Sequence, residues 1–315
     1  MVMLLSEAIE ALCVATRADG RTVRTVSSYR EKLSHLVAFL GDVPIGEITL
    51  HDLRTYVADM RDRSTIYINH HSHRSRSGSL SEFTIAGRVR AFKRLFRWLV
   101  LEGVLEVNPA ERIKTPRPKR REPKSVDWDD VMAVLSTTEG GTITDLRDRA
   151  IIFLLTDSAC RVGGLCGLMV QDVDLPNQHA LVTEKGGKTR LVFFTEDTAQ
   201  ALTDWLEVRP QDKGSWLFVG FNQRSKGRLT SGAILQMLKR RARRAGVTGT
   251  INPHAFRHAF ARHYLLNGGD LGTLADLLGH SDVSVTKAFY RIFTREELRK
   301  KHARHSPISQ LVGGN

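Results

Sequence analysis

Residues 251–290 read INPHAFRHAFARHYLLNGGDLGTLADLLGHSDVSVTKAFY, and the rest of the chain is best understood outward from them. His254 and Arg257 stand three positions apart, so on a helix they share a face and can converge on one anionic group. Asn252-Pro253 before them reads as a helix start, because proline is tolerated in the first turn, where its missing N–H has no partner to lose. That start brings the positive end of a helix dipole close to the pair. After Gly268-Gly269-Asp270, a second helix is predicted with Leu271, Leu274, Leu277 and Leu278 on one face, ending at Gly279-His280. Ten residues beyond His280 stands Tyr290, a phenol capable of nucleophilic attack. Arginine, histidine and tyrosine grouped in this way suit phosphoryl transfer.

His254-x-x-Arg257, the run Leu277-Leu278-Gly279-His280-Ser281 and the following Tyr290 resemble, in order and spacing, the C-terminal signature of the tyrosine recombinase (phage integrase) family. Many members place the nucleophile nine residues after the histidine, where this chain has Phe289. A phenyl ring cannot attack, so the resemblance assigns that role to Tyr290.

Upstream, Thr144 to Asp157 predicts a helix with a polar start and a strongly apolar body, and Arg161 follows it closely. An arginine so near a buried helix has either an anionic ligand or a structural ion pair as partner. In the family this position carries the first catalytic arginine of a TGxRxxE-like run. Here Ala159 replaces the usual glycine two residues before it, and Gly164 replaces the usual acid three residues after it. Leu168 to Phe194 alternates apolar runs with turn residues, which predicts a three-strand meander. Its turn, Lys185-Gly186-Gly187-Lys188, would be a solvated hairpin tip if taken alone. It resembles the family's GKGxKxR hairpin, which puts the lysine at Lys185 and ends the motif at Arg190, with Glu184 where a glycine is common.

The composition agrees with an anionic partner. The chain has 47 Lys+Arg against 34 Asp+Glu, a net charge of +13, so nucleic acid is favoured over an incidental basic surface. Its 315 residues allow two domains with their own cores. Cys13, Cys160 and Cys166 form no CxxC pair and no disulfide framework, which implies a reducing compartment. The opening apolar stretch is too short and too interrupted by Glu for a signal peptide or membrane span, so a soluble cytoplasmic protein is expected. His254 and His258 stand four apart on the predicted helix and His263 follows, but a zincin needs Glu where this chain has Ala255. No metal and no cofactor is expected.

The N-terminal third predicts helices at 4–18, Thr22 to Gly41, from about Ile48 through Met60, and from Ser81 through Leu99. Residues 68–82, rich in His, Ser and Arg, read as a loop that either is solvated or touches a DNA backbone. On the fourth helix Arg88, Arg90, Lys93, Arg94 and Arg97 form a basic face, a candidate DNA contact or a solvated surface. Lys114 to Lys124, KTPRPKRREPK, contains three prolines and reads as an extended linker. Its Lys119, Arg120 and Arg121 are candidates to lie along phosphates, giving two domains clamped around a duplex. The second domain is predicted to open with a helix after Ser125 and Asp127, then to add helices over Thr198 to Val208 and Ala233 to Ala245. The last of these ends in KRRARRAG, where Lys239, Arg240 and Arg241 either complement the dipole or meet phosphates.

The fold expected from the resemblance is an all-α N-terminal core-binding (SAM-like) domain over 1–112, a linker over 113–124, and a catalytic domain over 125–315. The catalytic domain is mixed α/β, mainly helical, with a small antiparallel β-sheet. No preceding arm-binding domain is expected, which leans toward a simple or Xer-like recombinase. The implied activity cuts and rejoins double-stranded DNA at specific recombination sites through a 3′-phosphotyrosyl link, without metal or ATP. In the implied roles Tyr290 attacks, Arg161 and Arg257 clamp the phosphate, Lys185 protonates the leaving 5′ oxygen, and His254 and His280 position the phosphate and assist proton transfer. A tetramer on two DNA sites is implied, with or without an accessory or partner recombinase. Two readings stay open beside it: a type IB topoisomerase-like enzyme, and a DNA-binding homologue that has lost turnover, which Gly164 and the Phe289-Tyr290 register would suggest.

Overall fold

The computed structural model describes residues 2–63, 65–66, 76–118, 125–184, 187–221, 227–279, 299 and 302. The chain divides into two compact units, Met1–Arg120 and Arg121–Asn315. No helix among the described residues is long and apolar enough to cross a membrane.

The first unit is built on α1 (Leu5–Ala18), α2 (Val23–Leu40), α3 (Leu50–Asp62) and α4 (Glu82–Leu101). The starts are set by side chains that accept otherwise unused N–H groups: Thr22 from Thr25, Thr49 from Asp52 and Ser81 from Thr84. Thr49 and Asp52 bond each other's backbone reciprocally, which fixes the start of α3 more tightly than spacing alone could predict. Leu12, Leu33, Leu36, Leu53, Tyr56, Phe92 and Phe96 fill one core between the helices. Part of the basic loop is ordered by pairing: β1 (Thr65–Ile66) runs antiparallel to β2 (Arg76–Ser77), with Thr65 opposite Ser77. Residues 67–75 lie outside the described residues.

Two cations of α4 do not stand on its exposed face. Arg88 is buried beside Tyr56, and that burial pulls its pKa below the ordinary arginine value. Lys93 donates to the carbonyls of Glu111 at 3.0 Å and Ile113 at 2.6 Å, and so holds the chain beyond α4. Arg94 and Arg97 are exposed, as the basic-face reading requires.

The second unit contains α5 (Trp128–Ser136), α6 (Ile143–Ser158), α7 (Val162–Gly167), β3 (Val173–Asp174), β4 (His179–Thr183), β5 (Thr189–Phe193), α8 (Glu196–Val208), α9 (Ser231–Arg244), α10 (Pro253–Leu266) and α11 (Leu271–Leu278). The sheet is antiparallel in the order β3-β4-β5, with Leu181 opposite Leu191 and Thr183 opposite Thr189. Its first strand is shorter than the alternating run predicts, because Val170–Asp172 makes a 3₁₀ turn held by the Asp172 carboxylate on the Met169 N–H at 2.8 Å. Only Val173 and Asp174 pair with β4. One face of the sheet buries Ala180, Val182 and Val192, while Leu181, Leu191 and Phe193 on the other are exposed. α8 begins earlier than predicted because Asp157, at the end of α6, accepts from the Thr195 N–H and hydroxyl and from Thr198.

α6 is the core helix, with Ala150, Ile151, Ile152, Leu154 and Leu155 all buried. Its first turns carry a buried charge cluster. Asp148 accepts from Arg147 through Oδ1 at 2.7 Å and from Arg241 through Oδ2 at 2.8 Å, and Arg241 also pairs with Asp145 at 2.7 Å. Arg241 further donates to the Thr137 carbonyl at 2.6 Å. It is therefore 4% exposed, an internal tie between α9 and α6, and is corrected from the list of DNA-facing cations; Lys239 and Arg240 beside it are exposed. Removing one partner of a buried ion pair costs about 3–5 kcal/mol. Asp145 would still face Arg241, so Asp148→Asn is expected at the lower end, about 3 kcal/mol. Urea unfolding should show a lowered midpoint with an unchanged slope.

Candidate active site

At the end of α6 the chain reverses through Ala159, whose φ of 49° and ψ of 24° lie in the left-handed region. The family's glycine would adopt this freely, whereas alanine carries about 1–2 kcal/mol of strain there. Burial of its methyl among Ala261, Leu265, Leu274 and Leu278 offsets about 0.8 kcal/mol of that. The same conformation aims the Ala159 carbonyl at Arg257, which donates to it through Nη1 at 2.8 Å. Arg161 then stands in extended backbone just before α7, a helix with no periodic signal in its sequence, VGGLCG.

Arg257 projects from the first turns of α10. Asn252 starts that helix by accepting from the Ala255 N–H at 3.1 Å, with Pro253 in the first turn. The guanidinium also donates through Nη2 to the carbonyl of Leu278, so it ties the end of α6 to the end of α11. Arg190, on β5, donates to the neighbouring Leu277 carbonyl at 2.7 Å. Gly279 closes α11 in the left-handed region, and a Cβ there would lie 2.6 Å from Arg190 Cδ. Two constraints, conformation and space, thus require glycine at this point.

Glu184, with a side chain only 6% exposed, joins two of the arginines. It pairs with Arg161 through Oε2 and with Arg190 through Oε1 at 3.1 Å. Two guanidiniums therefore share one carboxylate, and Arg257 lies close enough to feel the charge of both. Burial, then the charges of Arg161 and Arg190, pull the Arg257 pKa down to about 9. Arg161 is lowered by partial burial and then by Arg190, and Arg190 by burial. Such a cluster favours an anion.

A cation whose pKa is depressed in the fold costs stability while charged, fully below about 9, and the cost is relieved as pH rises from there toward the ordinary arginine value. A bound sulfate offsets the same cost. Sulfate at ten times its Kd is expected to stabilise the protein at pH 7 by about 1.4 kcal/mol. The gain in Tm should shrink as pH passes about 9 and be absent in Arg257→Leu; a gain independent of both would contradict the assignment.

Arg161 and Arg257 are thus brought together, with Arg190 as a third member that the sequence presented only as the end of the hairpin motif. His254 is exposed in the first turn of α10. His258, one turn on, has its pKa lowered by burial first and then by His254 and Arg257. Lys185, His280 and Tyr290 lie outside the described residues, as do Lys119, Arg120 and Arg121. In the chain, Lys185 directly follows Glu184 and His280 directly follows Gly279, and both of those preceding residues adjoin Arg190. The role of Glu184 was missed in the sequence. The available signal was the coincidence of an absent acid at Gly164 with an added one at Glu184.

The comparisons with known proteins bear on this geometry. The phage integrase family matches over residues 124–296, more than half of the chain. The chain is 33% identical to tyrosine recombinase XerC of Alcanivorax borkumensis, over 84% of this chain and 82% of that protein. It is 31% identical to tyrosine recombinase XerD of Mycobacterium tuberculosis, over 91% of this chain and 93% of that protein. Among solved structures, XerH site-specific recombinase bound to a palindromic difH substrate superposes with a TM-score of 0.69. That match covers 95% of this chain and 84% of the other at 19% identity, and is a likeness of fold. With the arginine cluster in the positions of the family's motifs and the match extending along most of its length, the chain belongs to the phage integrase family of tyrosine recombinases.

Proposed function

We propose that this protein is a site-specific DNA recombinase that integrates, excises or resolves DNA by cutting and rejoining strands through a 3′-phosphotyrosyl intermediate. The observation that carries the reading is the convergence of Arg161, Arg190 and Arg257 on one small region, where burial and mutual repulsion leave Arg257 well below its ordinary pKa. A scissile phosphate relieves that repulsion, and planar guanidiniums match its oxygens in pairs. In the proposed step the Tyr290 oxygen forms a bond to phosphorus while the bond from phosphorus to the 5′ oxygen breaks. Lys185 supplies the proton to the departing oxygen, and His254 with His280 positions the phosphate and assists removal of the tyrosine proton. Phosphoester energy is kept in the covalent link, so rejoining needs neither metal nor ATP.

Exposed Arg94 and Arg97 in the first unit, and Lys239 and Arg240 in the second, are proposed to contact phosphates, together with Lys119, Arg120 and Arg121 of the linker. Assembly is proposed as a tetramer on two sites in the cytoplasm. The test is incubation, with EDTA present, on a nicked suicide duplex carrying the DNA that flanks the gene. A covalent protein–DNA band on a denaturing gel is expected, with Arg161→Ala strongly reduced. A protein that binds the duplex but never links to it, with or without metal, would sink the reading in favour of a DNA-binding homologue.

A further inference from the structure

The acid that the family's TGxRxxE-like run places three residues after the first arginine is missing, since that position is Gly164. The structure shows why no side chain stands there. A Cβ on residue 164 would fall inside the van der Waals shell of Val182 Cγ1 and would lie 3.6 Å from Glu184 Cγ. The volume that an acid rooted on α7 would use is occupied from the other side, by Val182 of β4 and by Glu184 just beyond it. Glu184 in turn stands where the hairpin motif usually has glycine. The two departures are adjacent in space: residue 164 on α7 faces the point just beyond β4 where Glu184 brings a carboxylate.

We propose that Glu184 is the positioning residue for Arg161 and Arg190, supplying from the hairpin the carboxylate that relatives root at the Gly164 position. Arg161 is about one-third exposed and has a long flexible stem, so without a partner it would populate many rotamers. Glu184 holds it through one oxygen and Arg190 through the other, and so sets the spacing of two phosphate donors with one rigid group. The same residue closes the turn that carries Lys185, its N–H donating to the Lys188 carbonyl at 2.8 Å and its carbonyl accepting from Gly187 at 3.2 Å. The Glu184 side chain thus orients the arginine clamp, while its backbone bonds Lys188 and Gly187 across the hairpin. This inference rests on the reading of Arg161 as a phosphate clamp.

The test uses the full-length protein on the nicked suicide duplex, with single-turnover cleavage rates at saturating protein, DNA affinity and Tm measured side by side. Glu184→Gln is expected to lower the cleavage rate about 10–100-fold, the range for a lost orienting contact beside a reacting group. DNA affinity should hold or rise, because a negative charge has been removed from a site that binds phosphate. Glu184→Asp, which keeps the charge on a shorter stem, should fall between. Adding Val182→Ala and Gly164→Glu to Glu184→Gln opens the space and restores an acid from the helix side, and should recover at least tenfold of the lost rate. A Glu184→Gln rate within threefold of wild type would overturn the inference, as would a rate loss matched by an equal loss of affinity. So would a folded triple variant no faster than Glu184→Gln. If Arg161→Ala cleaves at the wild-type rate, the functional reading itself fails; if Arg161→Ala is inactive and Glu184→Gln is not impaired, only the positioning role fails.

Discussion

Tyr290→Phe is expected to bind recombination-site DNA as wild type does and to form no covalent link to it, with cleavage lower by on the order of 10⁴–10⁶-fold. The change removes one oxygen and keeps the ring, so packing is nearly conserved. What is lost is the atom proposed to bond to phosphorus. Phe289 next to it tests the register: Phe289→Tyr in the Tyr290→Phe background offers a phenol nine residues after His280 in place of ten. A residue's shift along the chain turns a side chain by about 100° on a helix and to the opposite face on a strand, so this double variant should remain inactive. A double variant as fast as wild type would show that the spacing after His280 is not what selects the nucleophile.

Arg257→Lys is expected to lower the single-turnover rate by about 10³-fold, at the upper end of what loss of one preorganised charge-stabilising donor costs. The substitution keeps the charge and discards the geometry. Arg257 uses two nitrogens on the Ala159 and Leu278 carbonyls, which hold the planar group in place beside Arg161 and Arg190. An ammonium is a single point and cannot hold two carbonyls while facing a phosphate. The rate should fall far more than the affinity, because charge on the phosphate develops beyond the ground state. The pKa of about 9 adds a check: phosphate beside Arg257 raises its pKa, so cleavage by wild type in the bound complex should not decline until pH exceeds about 9. Equal losses of rate and affinity in Arg257→Lys would mean that the residue only holds α6 and α11 together.

Much of this was legible from the residues alone, for identifiable reasons. The helices announced themselves by period and caps: Thr22, Ser81, Asp127 and Asn252 each accept the N–H that their position predicts. The hairpin from β4 to β5 followed from alternation on either side of Lys185-Gly186-Gly187-Lys188. α7 did not, because six residues with three glycines carry no period, and its place is set by the buried reversal at Ala159. Two errors of assignment had their correction in the sequence. Arg241 lies at the spacing of Ile234, Met237, Leu238 and Ala242, and Arg88 at that of Ile85, Val89 and Phe92, so both fall on apolar stripes. A cation on such a stripe is an internal one. The bond of Glu184 to Arg161 was beyond local reading, since it joins residues on separate elements and only the fold makes them neighbours. If the Glu184→Gln experiment bears out the proposed role, Gly164 no longer motivates the reading of a homologue without turnover.

The most direct measurement is isolation of the covalent protein–DNA adduct from the suicide substrate in EDTA, followed by proteolysis and mass spectrometry of the DNA-linked peptide. The account predicts a single attachment point, Tyr290, joined to the 3′ phosphate of the cleaved strand with a free 5′ hydroxyl on the other side. Attachment at Tyr264 or at a serine, linkage to a 5′ phosphate, or cleavage with no attached peptide would contradict it.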